Sequence, residues 1–140
     1  MTILEANRLR GAALNDAIRE SPGACTITGC LGERFIGAGM SGKVLKISGI
    51  PGNGLGAYLD GAEIEVEGNA QDAVGDTMNA GRIVIHGSVG DAVGYAMRGG
   101  EIFVRGNAGY RAGIHMKAYR EKLPVMVIGG CAGSFLGEYQ

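Results

Sequence analysis

Gly37-Ala38-Gly39-Met40-Ser41-Gly42 spells G-x-G-x-x-G, the pattern of a turn that cradles a dinucleotide pyrophosphate. That chemistry needs a buried strand before the glycines and a helix after them, whose N-terminus meets the phosphates. Here the alternating stretch Lys43-Val44-Leu45-Lys46-Ile47 follows, which reads as a strand. Gly37 through Lys43 also approaches a P-loop, but Val44 stands where a hydroxyl would ligate magnesium. Gly52-Asn53-Gly54-Leu55-Gly56 is as glycine-dense and equally placed for a corner. For acyl transfer the nucleophile elbow G-x-S-x-G is missing at Ser41, Ser88 and Ser134. His86 and His115 are 29 residues apart, without the carboxylate spacing of a metal site. Cys25, Cys30 and Cys131 form no C-x-x-C pair and read as small buried hydrophobes of a reduced, cytoplasmic protein.

The same glycines recur where these motifs are absent, which directs attention to architecture. Gly37, Gly56, Gly75, Gly94 and Gly113 are nineteen residues apart, and so are Gly49, Gly68, Gly87 and Gly106. Met40, Leu59, Met78, Met97 and Met116 keep that spacing, as do Leu45, Ile64, Ile83, Ile102 and Ile47, Val66, Ile85, Val104. Five columns in one register make a true repeat. Each unit holds a short period-two strand and tight glycine corners, with no room for a crossover helix. Units of this kind stack in parallel about 4.8 Å apart. The expected fold is all-β: a right-handed, single-stranded parallel β-helix, or solenoid, with a short N-terminal capping helix. The methionine column then reads as core filler at a corner.

The register predicts the surface. Glu63, Arg82 and Glu101 share one outward column, Lys46 lies over Glu65 in the next, and Glu67, His86 and Arg105 share a third. Opposite charges on neighbouring rungs help by about 0.2–1 kcal/mol each. Asn69, Ser88 and Asn107 stack after corner glycines, where their side chains can satisfy turn backbone.

The ends depart from the template. Ala13, Leu14, Ala17 and Ile18 have helical spacing and Ser21-Pro22-Gly23 stops them, so residues 1–23 are expected as a helical cap and 24–140 as the β-helix of one domain. One residue is inserted between the Cys25 strand and Gly37, and four are expected within Lys117 to Pro124. The next unit begins after Gly137 and the chain stops at Gln140. Its C-terminal edge is therefore expected to meet a partner or to belong to a longer parent chain.

In 140 residues, 46% are hydrophobic and 19% charged, the balance of a globular chain that buries one core. Twenty-seven glycines with only 3 prolines, and no Gly-X-Y period, exclude collagen. A net charge of -1 argues against nucleic-acid and polybasic membrane roles. No secretory signal or apolar membrane span is present. One outward column, Lys46, Glu65, Val84, Phe103, Met126, turns from charged to apolar, and Ile128 extends it beside Arg105. Val84, Phe103, Met126 and Ile128 are therefore expected to form a protein interface, homo-oligomeric contacts included. Arg111, His115 and Lys117 surround the expanded loop as candidates for an anion or partner contact.

Gly52-Asn53-Gly54-Leu55-Gly56-Ala57, Gly68-Asn69-Ala70-Gln71-Asp72 and the run Gly106 to Lys117 make the chain, from Leu14-Asn15 to Tyr139, similar to the GXGXG domain family. That domain is the C-terminal β-helix of the glutamate synthase large subunit and also occurs as a stand-alone subunit. The resemblance implies a scaffold that spaces a glutaminase part from an FMN-containing synthase part and helps wall the ammonia tunnel. It assigns this chain no catalytic, cofactor-binding or metal residue. FMN and iron–sulfur are expected on partner subunits, a glutamine amidotransferase and an FMN-binding synthase, in a glutamate or N-methylglutamate synthase. The repeat-bearing scaffold of formylmethanofuran dehydrogenase is similar too and is the rival. An esterase role, a label some stand-alone members carry, lacks its elbow here.

Overall fold

The computed structural model describes residues 2–9, 12–118, 122–134 and 136–137. Among these residues seven strands pair in chain order into one all-parallel sheet: β1 (Thr2–Glu5), β2 (Cys25–Leu31), β3 (Val44–Ile50), β4 (Asp60–Val66), β5 (Ala80–Ile85), β6 (Glu101–Val104) and β7 (Val125–Ile128). Among the described residues one α-helix, α1 (Ala12–Glu20), lies between β1 and β2, after a 3-10 turn at Ala6–Arg8. Alternation makes the strands: Leu45, Ile47, Ile64 and Val66 are buried, while their neighbours Lys46 and Glu63 face solvent.

The nineteen-residue columns become ladders in space. Leu45 pairs with Ile64, Ile64 with Ile83 and Ile83 with Ile102; Ile47, Val66, Ile85 and Val104 run beside them. These columns, with Met40, Leu59, Met78 and Met97, form one continuous core. The stacking continues beyond the sheet. The N–H groups of Gly56, Gly75, Gly94 and Gly113 donate to Ile36, Leu55, Val74 and Val93 carbonyls at 2.7–2.9 Å. Each of these turns holds three positive-φ residues at every second position, as at Gly54, Gly56 and Tyr58. The middle glycine is required twice over. At Gly56 φ is +66°, and an added Cβ would sit 2.7 Å from Ile83 Cδ1 in the core.

The single insertion, expected between the Cys25 strand and Gly37, falls inside that strand instead, as a bulge between Ile27 and Cys30 with Gly29 at φ 70°. The N-terminal segment differs from a purely helical cap, because β1 adds a first rung on β2, with Thr2 opposite Cys25 and Leu4 opposite Ile27. Helix α1 buries Leu14 and Ile18, one turn apart, on the core. Asn15, between them, mimics a peptide unit: its Oδ1 accepts from Gly37 N–H at 2.9 Å and its Nδ2 donates to Phe35 O at 2.8 Å. In later coils that N–H bonds the backbone of the preceding coil. Arg19, one turn further on, donates to Ala38 O. The helix thus completes the hydrogen bonding of the first turn.

At the other end the register departs from expectation. Phe103 pairs with Val127 and Val104 with Ile128, a step of 24 residues. The inserted loop therefore adds five residues, not four; its positions 119–121, like Tyr139 and Gln140, lie outside the described residues. An odd change of one residue reverses every facing.

Candidate interaction surface

That reversal corrects the expected apolar column. Val84 and Phe103 face outward, half-buried, as predicted. Met126 and Ile128 do not continue them; they stand in the inward columns of Ile102 and Val104 and pack against the core. Gly94 confirms the facing, since its added Cβ would meet Met126 Sδ at 3.3 Å, where earlier corner glycines meet isoleucines. The outward positions of β7 are Val125 and Val127, 37% and 49% exposed. The outer face thus runs from Lys46 and Glu65 to Phe103 and Val127, and Arg82 lies over the Phe103 ring at 5.9 Å while bonding Glu101 at 3.2 Å.

Other polar side chains of this surface are engaged in ladders. Asn69 Oδ1 accepts from Ser88 N–H, Ser88 Oγ from Asn107 N–H, and Asn107 Oδ1 from Cys131 N–H, at 2.8–2.9 Å. A second ladder runs through Asn53, Asp72 and Asp91 to Tyr110 N–H. The first was legible in the columns; the second was missed, although its nineteen-residue spacing was equally visible. His86 Nε2 meets Glu65 Oε2 at 2.7 Å, diagonally across columns. That bond, together with the charges of His86 and Lys46, lowers the Glu65 pKa below its ordinary value. Among the described residues no group of three or more His, Cys, Asp or Glu could hold a metal ion. The G-x-G-x-x-G amides are occupied too: Gly37 N–H by Asn15 and Gly39 N–H by Ala57 O. Among the described residues no helix is long and apolar enough to cross a membrane.

Arg111, His115 and Lys117 are all exposed on the last turn before the loop. Arg111 and His115 adopt φ of 57° and 58° on either side of Gly113, the positions filled by Ala92 and Ala96 one coil earlier. An L-residue there costs about 1–2 kcal/mol. The His115 ring meets Tyr95 edge-on, with centroids 5.6 Å apart. Beyond them opens a cavity of about 520 Å³ lined by Met116, Met126, Ile128, Ala132 and Leu136 with Gly130 and Gly137. Thus β7 joins to the basic turn an apolar recess that the expected register had turned outside in.

The chain matches the family model described as GXGXG motif over residues 12–140. A stretch of 27 residues, 19% of this chain, is 74% identical to the "Uncharacterized protein MJ1350" of Methanocaldococcus jannaschii and spans 10% of that protein's length. No solved structure matches. Gly52-Asn53-Gly54-Leu55-Gly56 spells that motif on one of the repeated corners, and with the family model covering residues 12–140 the chain belongs to the GXGXG family.

Proposed function

We propose that the chain is a structural, non-catalytic subunit or domain of a cytoplasmic glutamate synthase-like complex, making glutamate or N-methylglutamate. In this reading the stacked units form a right-handed parallel β-helix. It holds a glutaminase part and an FMN-binding synthase part at a fixed separation and helps wall the path of ammonia between them. One observation carries the reading: backbone and surface polar groups are consumed along the stack instead of converging. Corner amides bond the neighbouring coil, and Asn69, Ser88 and Asn107 bond the next coil's N–H. Such pairing suits a spacer, because bending would break whole ladders of hydrogen bonds. Against an esterase, the Ser88 hydroxyl oxygen is engaged by the Asn107 N–H as a member of a turn ladder, and Ser41, Ser88 and Ser134 lack the nucleophile elbow. Membership of the GXGXG family and the motifs shared with the glutamate synthase domain support the choice of complex.

The test is affinity capture of the tagged chain from its native lysate, with mass spectrometry and a flavin absorbance scan. A flavin-bearing synthase and a glutaminase are expected together. A molybdenum or tungsten iron–sulfur enzyme would place the chain with formylmethanofuran dehydrogenase instead.

A further inference from the structure

Asn53-Gly54 is the one asparagine–glycine pair in the chain; the asparagines at 7, 15, 69, 79 and 107 precede Arg8, Asp16, Ala70, Ala80 and Ala108. Such a pair is chemically labile, because glycine has no Cβ to keep its amide nitrogen away from the asparagine Cγ. Two separate demands of the stack put it there. Asn53 begins a side-chain ladder, its Oδ1 accepting from Asp72 N–H at 3.0 Å. Gly54 lies under the Phe35 ring, where an added Cβ would stand 2.5 Å from Phe35 Cδ1.

The closed stack engages both reacting groups. Gly54 N–H donates to Asp72 O at 3.0 Å, so the Asp72 main chain grips the nucleophile and the electrophile at once. Phe35 N–H fixes the intervening Asn53 carbonyl at 2.9 Å. Gly54 is buried and Asn53 half-buried. The amide nitrogen must lose its proton before it can attack, and a bonded, buried N–H loses it only when the structure opens locally. We propose that Asn53-Gly54 is a latent self-modification site, fired by opening of the coil contact at Asp72. Gly54 N, having given its proton to hydroxide, attacks Asn53 Cγ. The N–Cγ bond forms, the Cγ–Nδ2 bond breaks, and Nδ2 leaves as ammonia with a proton from water. Water opens the resulting succinimide to aspartate or isoaspartate, with no change of oxidation state. Aspartate keeps the side-chain acceptor, as Asp72 and Asp91 do in this column. Isoaspartate routes the main chain through Cγ, one atom longer, and the ladder cannot close again, so coil opening leaves a permanent mark. This holds whichever enzymes the scaffold serves.

The full chain is incubated at mildly alkaline pH with and without guanidinium chloride, and deamidation is localised by peptide mass spectrometry. Asn53 is expected to deamidate about tenfold or more faster in the unfolded chain than in the folded one, and there ahead of Asn69 and Asn107. In the unfolded state Gly54→Ala should slow it. Phe35→Ala, which uncovers Gly54 and leaves the Asp72 bonds, should speed it in the folded protein. Across sub-denaturing guanidinium the rate should follow hydrogen exchange at Gly54. Equal rates in folded and unfolded chains, an Asn53 as inert as Asn69 when unfolded, or a rate indifferent to faster Gly54 exchange overturns the proposal. So does an isoaspartate-bearing chain that refolds to the parent's Tm.

Discussion

Replacing Gly56 by alanine tests the corner geometry at its most constrained point. The backbone there has φ +66°, so an alanine Cβ costs about 1–2 kcal/mol in local strain. The methyl would also lie 2.7 Å from Ile83 Cδ1 and 3.3 Å from Ile64 Cδ1, in a core where Ile83 is fully buried. Overpacking of that kind adds about 1–3 kcal/mol. The total, about 2–5 kcal/mol, should lower Tm by roughly 6–15 °C in a chain of this size. Ile83→Val alone removes Cδ1 and costs about 0.5–1.5 kcal/mol. Combined, the two changes should not add: the new methyl occupies the space that Cδ1 leaves, and only the strain of about 1–2 kcal/mol persists. The double variant is therefore predicted to be at least as stable as Gly56→Ala. Thermal unfolding followed by circular dichroism on all four proteins decides it. Strict additivity, or a loss below about 1 kcal/mol for Gly56→Ala, would refute the reasoning.

Asn15→Ala should cost about 1–3 kcal/mol and speed hydrogen exchange at Gly37, because it strips partners from the first turn; Asn15→Asp, which keeps an acceptor for Gly37 N–H, should lose less. The Glu65 carboxyl should titrate below its ordinary value of 4.5 in carbon-detected NMR and return toward it in His86→Gln. Since the folded-state pKa is the lower one, the pair's contribution is complete above the ordinary value. It fades as pH falls through the folded one, so the variant's stability deficit should shrink in acid. Under native conditions iodoacetamide should modify only exposed Cys131 among the three cysteines, rising to three on unfolding. Cys25 and Cys30 are buried, and burial followed by the nearby Glu33 charge pushes the Cys30 thiol up to about 12.

The stack was legible in the sequence because in-register stacking turns a sequence interval directly into a spatial neighbour. The columns through Ile64, Gly56 and Asn69 predicted the strand pairs, the corners and one side-chain ladder. Legibility fails where the interval is interrupted. The loop after Lys117 is one residue longer than the columns suggest, and period-two alternation converts that single residue into an inverted facing for Met126 and Ile128. Strand β1 has no template to match, since Thr2–Glu5 pairs with β2 across the helix rather than across a repeat. Asn15 acts through a shape, an amide posing as a peptide, that no spacing announces. Likewise Phe35, Tyr58 and Thr77 take positive φ against their own preference, because hydrogen bonds from neighbouring coils hold the turn in its common form.

The central claim is that this chain spaces two active sites without serving either. On the captured complex, glutamine-driven and ammonia-driven synthase turnover can be compared before and after the chain is selectively removed and then restored. Loss of the glutamine-driven rate, with the ammonia-driven rate retained and coupling recovered on add-back, is the predicted result. Undiminished glutamine-driven turnover without the chain would contradict it.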